Sequence, residues 1–205
     1  IDVRSDRKIQ VKCTSELMRT ADYTLPHGGD PLADSFRGVA GSPVKPMESA
    51  DVVIPDEECV IWAHRNETSL YPLIMERQNA EEFIEKYPDP YMGRTFGAAI
   101  SGTGMKPSED GLSLVTVSPS KTCSIDVVAY TAQTQTMSEW KDGLSDALSR
   151  VRKADRKSAE SAHIAWWRNF WNRSWIFMSG DDDAVKATQA YLLQRYMMAC
   201  QSRGA

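Results

Sequence analysis

Polar and hydrophobic positions alternate through the first two-thirds of the chain and change period near residue 138. Ile9, Val11 and Cys13 alternate with charged or polar neighbours, the period of a strand with one buried face. A second strand is predicted over Leu17 to Leu25, closed by Pro26 and the turn-rich run His27-Gly28-Gly29-Asp30-Pro31. From there to about Ala50, Gly, Pro and Ser without a clear period predict a long surface loop. Strands resume at Asp51 to Ile54, Cys59 to Ala63, Thr95 to Ser101, Leu112 to Val117 and Cys123 to Thr131, the last with Cys123, Ile125, Val127 and Ala129 on one side. Asn79 to Lys86 predicts one or two helical turns between strands. Short strands separated by turns, without regular helices between them, favour an antiparallel β-sandwich over a parallel βαβ sheet.

From Ser138 the period is helical. Ser138 is placed to cap a helix with Glu139 in its first turn, and Trp140, Leu144, Leu148 and Val151 fall on one face. The basic run Arg150 to Lys157 follows on the exposed side. A second helix is predicted over about Ser158 to Asn172, with an apolar stripe of Ile164, Trp167, Phe170 and Trp171. Asp181, Asp182 and Asp183 cap and charge the start of a third. Its Val185, Leu192, Tyr196 and Ala199 share a face that Leu193, Met197 and Cys200 widen, which is too much apolar circumference for a free surface helix. The expected class is mostly β with C-terminal helices (α+β): a sandwich over 1–137, a helical linker over 138–180 and a further helix within 181–205.

A chain of 205 residues, 41% hydrophobic and 25% charged, has room for one large domain or two small ones, and excludes wholesale disorder and fibrous repeats. A net charge of -4 and pI near 5.5 argue against nucleic acid as a partner. No apolar run approaches the roughly 18 to 20 residues of a membrane span. Residues 138–205 carry 11 Lys+Arg against 8 Asp+Glu, net +3, which leaves net -7 on 1–137. Ile1 enters a strand-like stretch directly, and the helical pattern runs almost to Ala205, so a piece of a longer protein is expected. Cys13, Cys59, Cys123 and Cys200 stand singly, without zinc-ligand spacing; no metal and no cofactor is expected.

Among candidate sites, Gly102-Thr103-Gly104 lacks the lysine spacing of a phosphate loop and reads as a turn. His163 reads as a packed or capping histidine, and the tryptophans at 166, 167, 171 and 175 as core, although their faces suit sugar rings. No Ser or Cys nucleophile is paired with a base. The densest polar cluster is Trp62-Ala63-His64-Arg65-Asn66-Glu67-Thr68-Ser69-Leu70-Tyr71-Pro72, which sets an imidazole, a guanidinium, a carboxamide and a carboxylate in sequence after an apolar strand. Two readings stand side by side: these groups hydrogen-bond sugar hydroxyls, or they cap turns while Arg65 and Glu67 form an ion pair. Asn66-Glu67-Thr68 and Asn172-Arg173-Ser174 also match the glycosylation sequon.

Four blocks in order carry a resemblance: His64 to Ser69 with Tyr71-Pro72; Arg94-Thr95-Phe96-Gly97-Ala98; Thr131-Ala132-Gln133-Thr134; and His163-x-x-Trp166-Trp167-x-x-Phe170-Trp171-x-Arg173-Ser174-Trp175-Ile176, continued by Tyr191-x-Leu193-Gln194-Arg195-Tyr196-Met197-x-Ala199-Cys200-x-x-Arg203-Gly204. Over about Asp51 to Ala205 they resemble a bacterial family of N-terminal β-sandwich domains of unknown function that precede a six-hairpin (α/α)6 barrel. That family is similar in architecture to the glycoside hydrolase family 95 (α-L-fucosidase-like) proteins. The resemblance implies that residues 181–205 begin a barrel, the missing C-terminal partner. It implies an oligosaccharide or polysaccharide substrate, and cleaving carboxylates on the barrel, so that no catalytic residue lies in this chain. Trp62, His64, Arg65, Asn66 and Glu67 would then bind sugar at the joint between sandwich and barrel, in the periplasm or outside the cell. The alternative expectation is a carbohydrate-binding or purely structural module without catalysis.

Overall fold

In a computed structural model, which describes residues 1–24 and 47–201, the alternating segments form antiparallel strands. In chain order these are β1 (Asp2–Ile9), β2 (Lys12–Thr14), β3 (Tyr23–Thr24), β4 (Met47–Glu48), β5 (Val52–Ile54), β6 (Val60–Arg65), β7 (Arg94–Gly102), β8 (Met105–Pro107), β9 (Ser113–Thr116) and β10 (Ser120–Gln133). A five-stranded sheet has the order β1-β10-β7-β6-β5, a three-stranded sheet the order β2-β9-β8, and β3 pairs with β4. Three of the helices follow the strands: α2 (Met137–Lys153), α3 (Arg156–Trp171) and α4 (Asp182–Gln201), while α1 (Tyr71–Arg77) lies between β6 and β7. The protein is thus α+β with antiparallel sheets. The turn at 26–31, most of the loop that follows it, and Arg203 and Gly204 lie outside the described residues.

The chain divides into two compact units, Ile1–Lys153 and Ala154–Ala205. In the first, each face of the large sheet has its own core. Cys59, Ile61, Ala63, Ala99 and Val128 pack with Trp140, Leu144 and Leu148 of α2. Val60, Ile100, Cys123 and Ile125 pack with Met105 and Leu114 of the small sheet. Successive residues of a strand point to opposite faces, so Val60 goes to one core and Ile61 to the other. The change of period at residue 138 falls inside this unit, because the apolar face of α2 is buried against β7 and β10.

Several expectations are corrected. Leu17 to Leu25 is not a strand: only Tyr23–Thr24 pairs, and residues 15–22 run without regular structure. On β10, Cys123 and Ile125 are buried, but Val127 and Ala129 are exposed, and the second half turns Val128, Tyr130 and Ala132 to α2 instead. The cover changes along the strand, so the buried set changes with it. The cap of α2 is Thr136, not Ser138: Thr136 Oγ1 accepts from the Glu139 N–H at 3.2 Å, and Glu139 Oε2 accepts from the N–H groups of Gln135 and Thr136. This Thr-x-x-Glu capping box fixes the entry of the helix. Val151 is exposed beyond the end of the covered stripe. A short 3₁₀ turn, Glu81–Phe83, occupies part of the predicted 79–86 segment, whereas α1, seven residues long and without a buried residue, offers too little periodicity to read in advance.

In the second unit, Asp155 caps α3 by accepting from the N–H groups of Lys157 and Ser158 and from the Ser158 hydroxyl. Those bonds, the hydroxyl's first, hold its carboxyl below the ordinary carboxylate range. Asp181 caps α4 by accepting from Asp183 and Ala184 N–H, as the acidic run predicts. The Trp167 ring stacks on Tyr196 of α4 at 5.4 Å, and the Arg195 guanidinium lies 4.6 Å from the centre of Phe170 while donating to the carbonyls of Phe170 and Ser174. Aromatic and cation–π contacts therefore tie the two helices together.

Candidate functional site

The polar cluster sits at the end of β6, and its first members lie within the strand. His64 pairs with Phe96 and Arg65 with Thr95 of β7. The loop therefore begins at Asn66, two residues later than the hydrophobic run suggests. Strand alternation separates the side chains: Trp62 and His64 share the face of Val60, and Arg65 points to the opposite one.

Arg65 acts as a clamp. Its guanidinium donates to Gly93 O at 2.9 Å, Thr95 Oγ1 at 2.8 Å, Thr134 O at 2.8 Å and Gln135 O at 2.9 Å. No ion pair with Glu67 forms among the described residues. Three of the four motif blocks thus meet at one side chain: His64 to Ser69, Arg94 to Ala98 and Thr131 to Thr134. Gly93 makes the meeting possible. Its φ of +72° suits glycine, and a Cβ there would stand 3.0 Å from Thr134 O and 3.2 Å from the Arg65 guanidinium. Its N–H donates to Asn66 O at 2.9 Å, which closes the base of the 66–93 excursion.

A cleft of about 740 Å³ opens beside this clamp, lined by Asn66, Glu67, Asp89, Met92, Gln133 and Gln135 among others. Asp89 shapes its wall. Burial alone would raise its carboxyl, but the Ser69 hydroxyl and the N–H groups of Tyr91 and Met92 outweigh burial and hold it below the ordinary range. Gln133 Nε2 donates to Asp89 O at 2.8 Å and Met92 O at 2.7 Å, which leaves its carbonyl oxygen available. The side chains of Asn66, Glu67 and Gln135 bond no described residue. The cleft therefore offers amides and a carboxylate, while the one guanidinium at its base is spent on backbone carbonyls.

His64 faces a different, smaller cleft of about 150 Å³, which Asn66 and Glu67 also line. Its Nδ1 lies 3.1 Å from Oδ1 of Asp51, and its ring centre 5.1 Å from that of Phe96. Trp62 lines neither cleft. The sequence reading missed Asp51, Arg19 and Asp89. Asp51 and Arg19 are far apart in the chain with no motif between them, and Asp89 left only a weak signal, an Asp between two prolines that marks a turn. Among the described residues no group of three or more His, Cys, Asp or Glu is placed to hold a metal ion, and no helix is long and apolar enough to cross a membrane. The four cysteines are free.

Residues 1–176 match the N-terminal part of a family described as a domain of unknown function, DUF5703. No curated protein and no solved structure matches the chain.

Proposed function

The chain belongs to the DUF5703 N-terminal domain family, and we propose that it is a non-catalytic, carbohydrate-contacting β-sandwich module of a larger carbohydrate-active hydrolase. In this reading the module supports and partly lines a sugar cleft whose acid and base belong to a downstream (α/α)6 barrel, begun by α4. The partner is an oligosaccharide or polysaccharide, and the setting is periplasmic or extracellular. The observation that carries the reading is the composition of the larger cleft. Asn66, Glu67, Gln133 and Gln135 present donors and acceptors without a free cation, and Met92 and Pro88 add apolar surface. Neutral hydroxyls suit such a wall better than phosphate or carboxylate groups do. The wide apolar circumference of α4, with Val185, Leu193, Tyr196 and Met197 exposed, supports its assignment to a larger helical body.

Glycan-array binding by the chain tests this. Binding that an Asn66→Ala, Gln135→Ala double variant loses, with its circular dichroism unchanged, is expected. Silence of the folded wild type on every glycan would leave the second reading, a purely structural module. One observation favours that alternative: the Arg65 fork, the strongest sugar-reading group in the cluster, is engaged by three backbone carbonyls.

A further inference from the structure

The smaller cleft contains a chemically specific feature that neither the clamp nor the larger cleft uses. His64 and Asp51 are buried together, with side chains 6% and 1% exposed. Asp51 is fixed from several directions. The Arg19 N–H donates to its Oδ2 at 3.2 Å, its own N–H donates to Arg19 O at 2.8 Å, and the Arg19 guanidinium lies 3.7 Å from Oδ1. Arg19 is held in turn by Glu48, at 3.0 Å from Nε to Oε2. A carboxylate accepts and does not donate, so Asp51 selects the form of the neutral imidazole with its proton on Nδ1 and its lone pair on Nε2. No described residue bonds Nε2. Trp140 Nε1 is the one side-chain nitrogen or oxygen in the unexposed described residues that is both sealed and unbonded, so His64 Nε2 keeps some access to solvent, on a ring that lines the cleft.

We propose that Asp51 is a positioning residue for His64, and that the pair forms a subsite in which Nε2 accepts a hydrogen bond from a hydroxyl of a small polyol or the edge of a sugar ring. The ligand class follows from the walls. The Nε2 lone pair and the Glu67 carboxylate disfavour an anion, and the Arg19 guanidinium and its ion-pair partner Glu48, which both line the cleft, offset each other and offer no net charge to an ion. Asn66, Thr68 and Ser49 complete a wall of amide and hydroxyl groups suited to neutral O–H donors. A volume of about 150 Å³ holds roughly five waters at about 30 Å³ each, room for a fragment with a few hydroxyls and not for an extended chain. The inference rests on the carbohydrate reading for the identity of the natural ligand.

The test is NMR of the chain with ¹⁵N-labelled histidine, above the ordinary imidazole range of about 6.5. Glycerol serves as a minimal polyol, and dimethoxyethane, which has ether oxygens but no hydroxyl, as the control. In the wild type the proton is expected on Nδ1, and the Nε2 resonance should move saturably with glycerol and not with dimethoxyethane. Asp51→Asn replaces the acceptor by an amide able to donate to Nδ1, so the proton should move to Nε2, which then donates instead of accepting, and the discrimination between glycerol and dimethoxyethane should be lost, as tautomer control by a carboxylate requires. A wild-type proton on Nε2, a flat wild-type response to glycerol, or a proton still on Nδ1 with glycerol still preferred over dimethoxyethane in Asp51→Asn would overturn the inference. Should that variant not fold, the wild-type spectra decide alone. A blank glycan array with a saturable Nε2 response would remove the carbohydrate reading and keep the subsite; glycan binding with the proton on Nε2 would do the reverse.

Discussion

Gly97 on β7 is the seat of Trp140 on α2: a Cβ added at Gly97 would stand 3.0 Å from Cη2 of the indole, and 2.1 Å from the carbonyl oxygen of Trp62 on the neighbouring strand. The second atom is backbone and cannot swing aside. Gly97→Ala is therefore expected to lower stability by about 2 to 3 kcal/mol, toward the upper end of ordinary overpacking. Urea unfolding followed by tryptophan fluorescence measures it, and an unchanged midpoint would show that the neighbouring strand and the helix both give way at little cost.

The capping box at the start of α2 separates two residues that look alike in sequence. Thr136→Ala should cost about 1 kcal/mol, the usual loss for a side-chain cap. Ser138→Ala should be neutral, because Ser138 lies inside the helix. Paired denaturation curves distinguish them, and equal effects would mean that the cap is not where the hydrogen bonds place it.

Arg65 and Asn66 are expected to fail in different assays. Removing the guanidinium takes a donor from the carbonyls of Thr134 and Gln135 and leaves Gly93 O only its longer bonds from the Thr134 N–H and the Thr95 hydroxyl, so Arg65→Ala should cost about 2 kcal/mol of stability, in the range of hydrogen bonds to charged groups. Arg65→Lys should rescue little, since one ammonium does not span the fork's acceptors. Asn66→Ala should leave the unfolding midpoint in place and, under the proposed function, weaken glycan binding alone.

Burial raises the thiols of Cys59 and Cys123 above their ordinary value of 9.0. The unfolded chain therefore ionises first as pH rises. The stability that these protonated thiols contribute is complete below about pH 9 and is lost as pH climbs through their folded values. A stability profile from pH 7 to 11 should fall at the alkaline end, and less steeply in a Cys59→Ala, Cys123→Ala variant. At neutral pH iodoacetamide should label the exposed Cys200 well before either buried thiol.

In the second unit the Arg195 guanidinium bonds two carbonyls near the end of α3 while covering the Phe170 ring. Arg195→Lys keeps the charge but not the planar fork. It is expected to weaken the near-ultraviolet dichroism of the tryptophan cluster while far-ultraviolet helicity persists, and an unchanged near-ultraviolet spectrum would show that ring stacking alone orders the cluster.

Local signals carried the elements with strong period or chemistry. The β6, β7 and β10 runs, the Trp140–Leu144–Leu148 face and the Asp181 cap were legible because each depends on residues within a few positions of one another. Legibility failed where burial came from a distant partner. Val127 and Val128 are equally apolar neighbours, and only the cover on each face of β10 decides that Val128 is buried and Val127 is not. The same holds for the site. The His64 to Glu67 cluster was visible as composition, but not that Arg65 is spent on backbone carbonyls.

What the sequence determined by itself was the period of the long elements, the α+β class and the place of the polar cluster at the end of a strand, because alternation, capping and helical spacing are short-range properties of covalent geometry. Tertiary structure alone decided that Arg65 draws Gly93, Thr95 and Thr134 together, that Asp51 meets His64 across 13 positions, and that the larger cleft is lined from three separate stretches of chain. Those relationships depend on which strands pair and in what register, and register is set by the summed burial of two whole sheet faces, not by any one residue or motif.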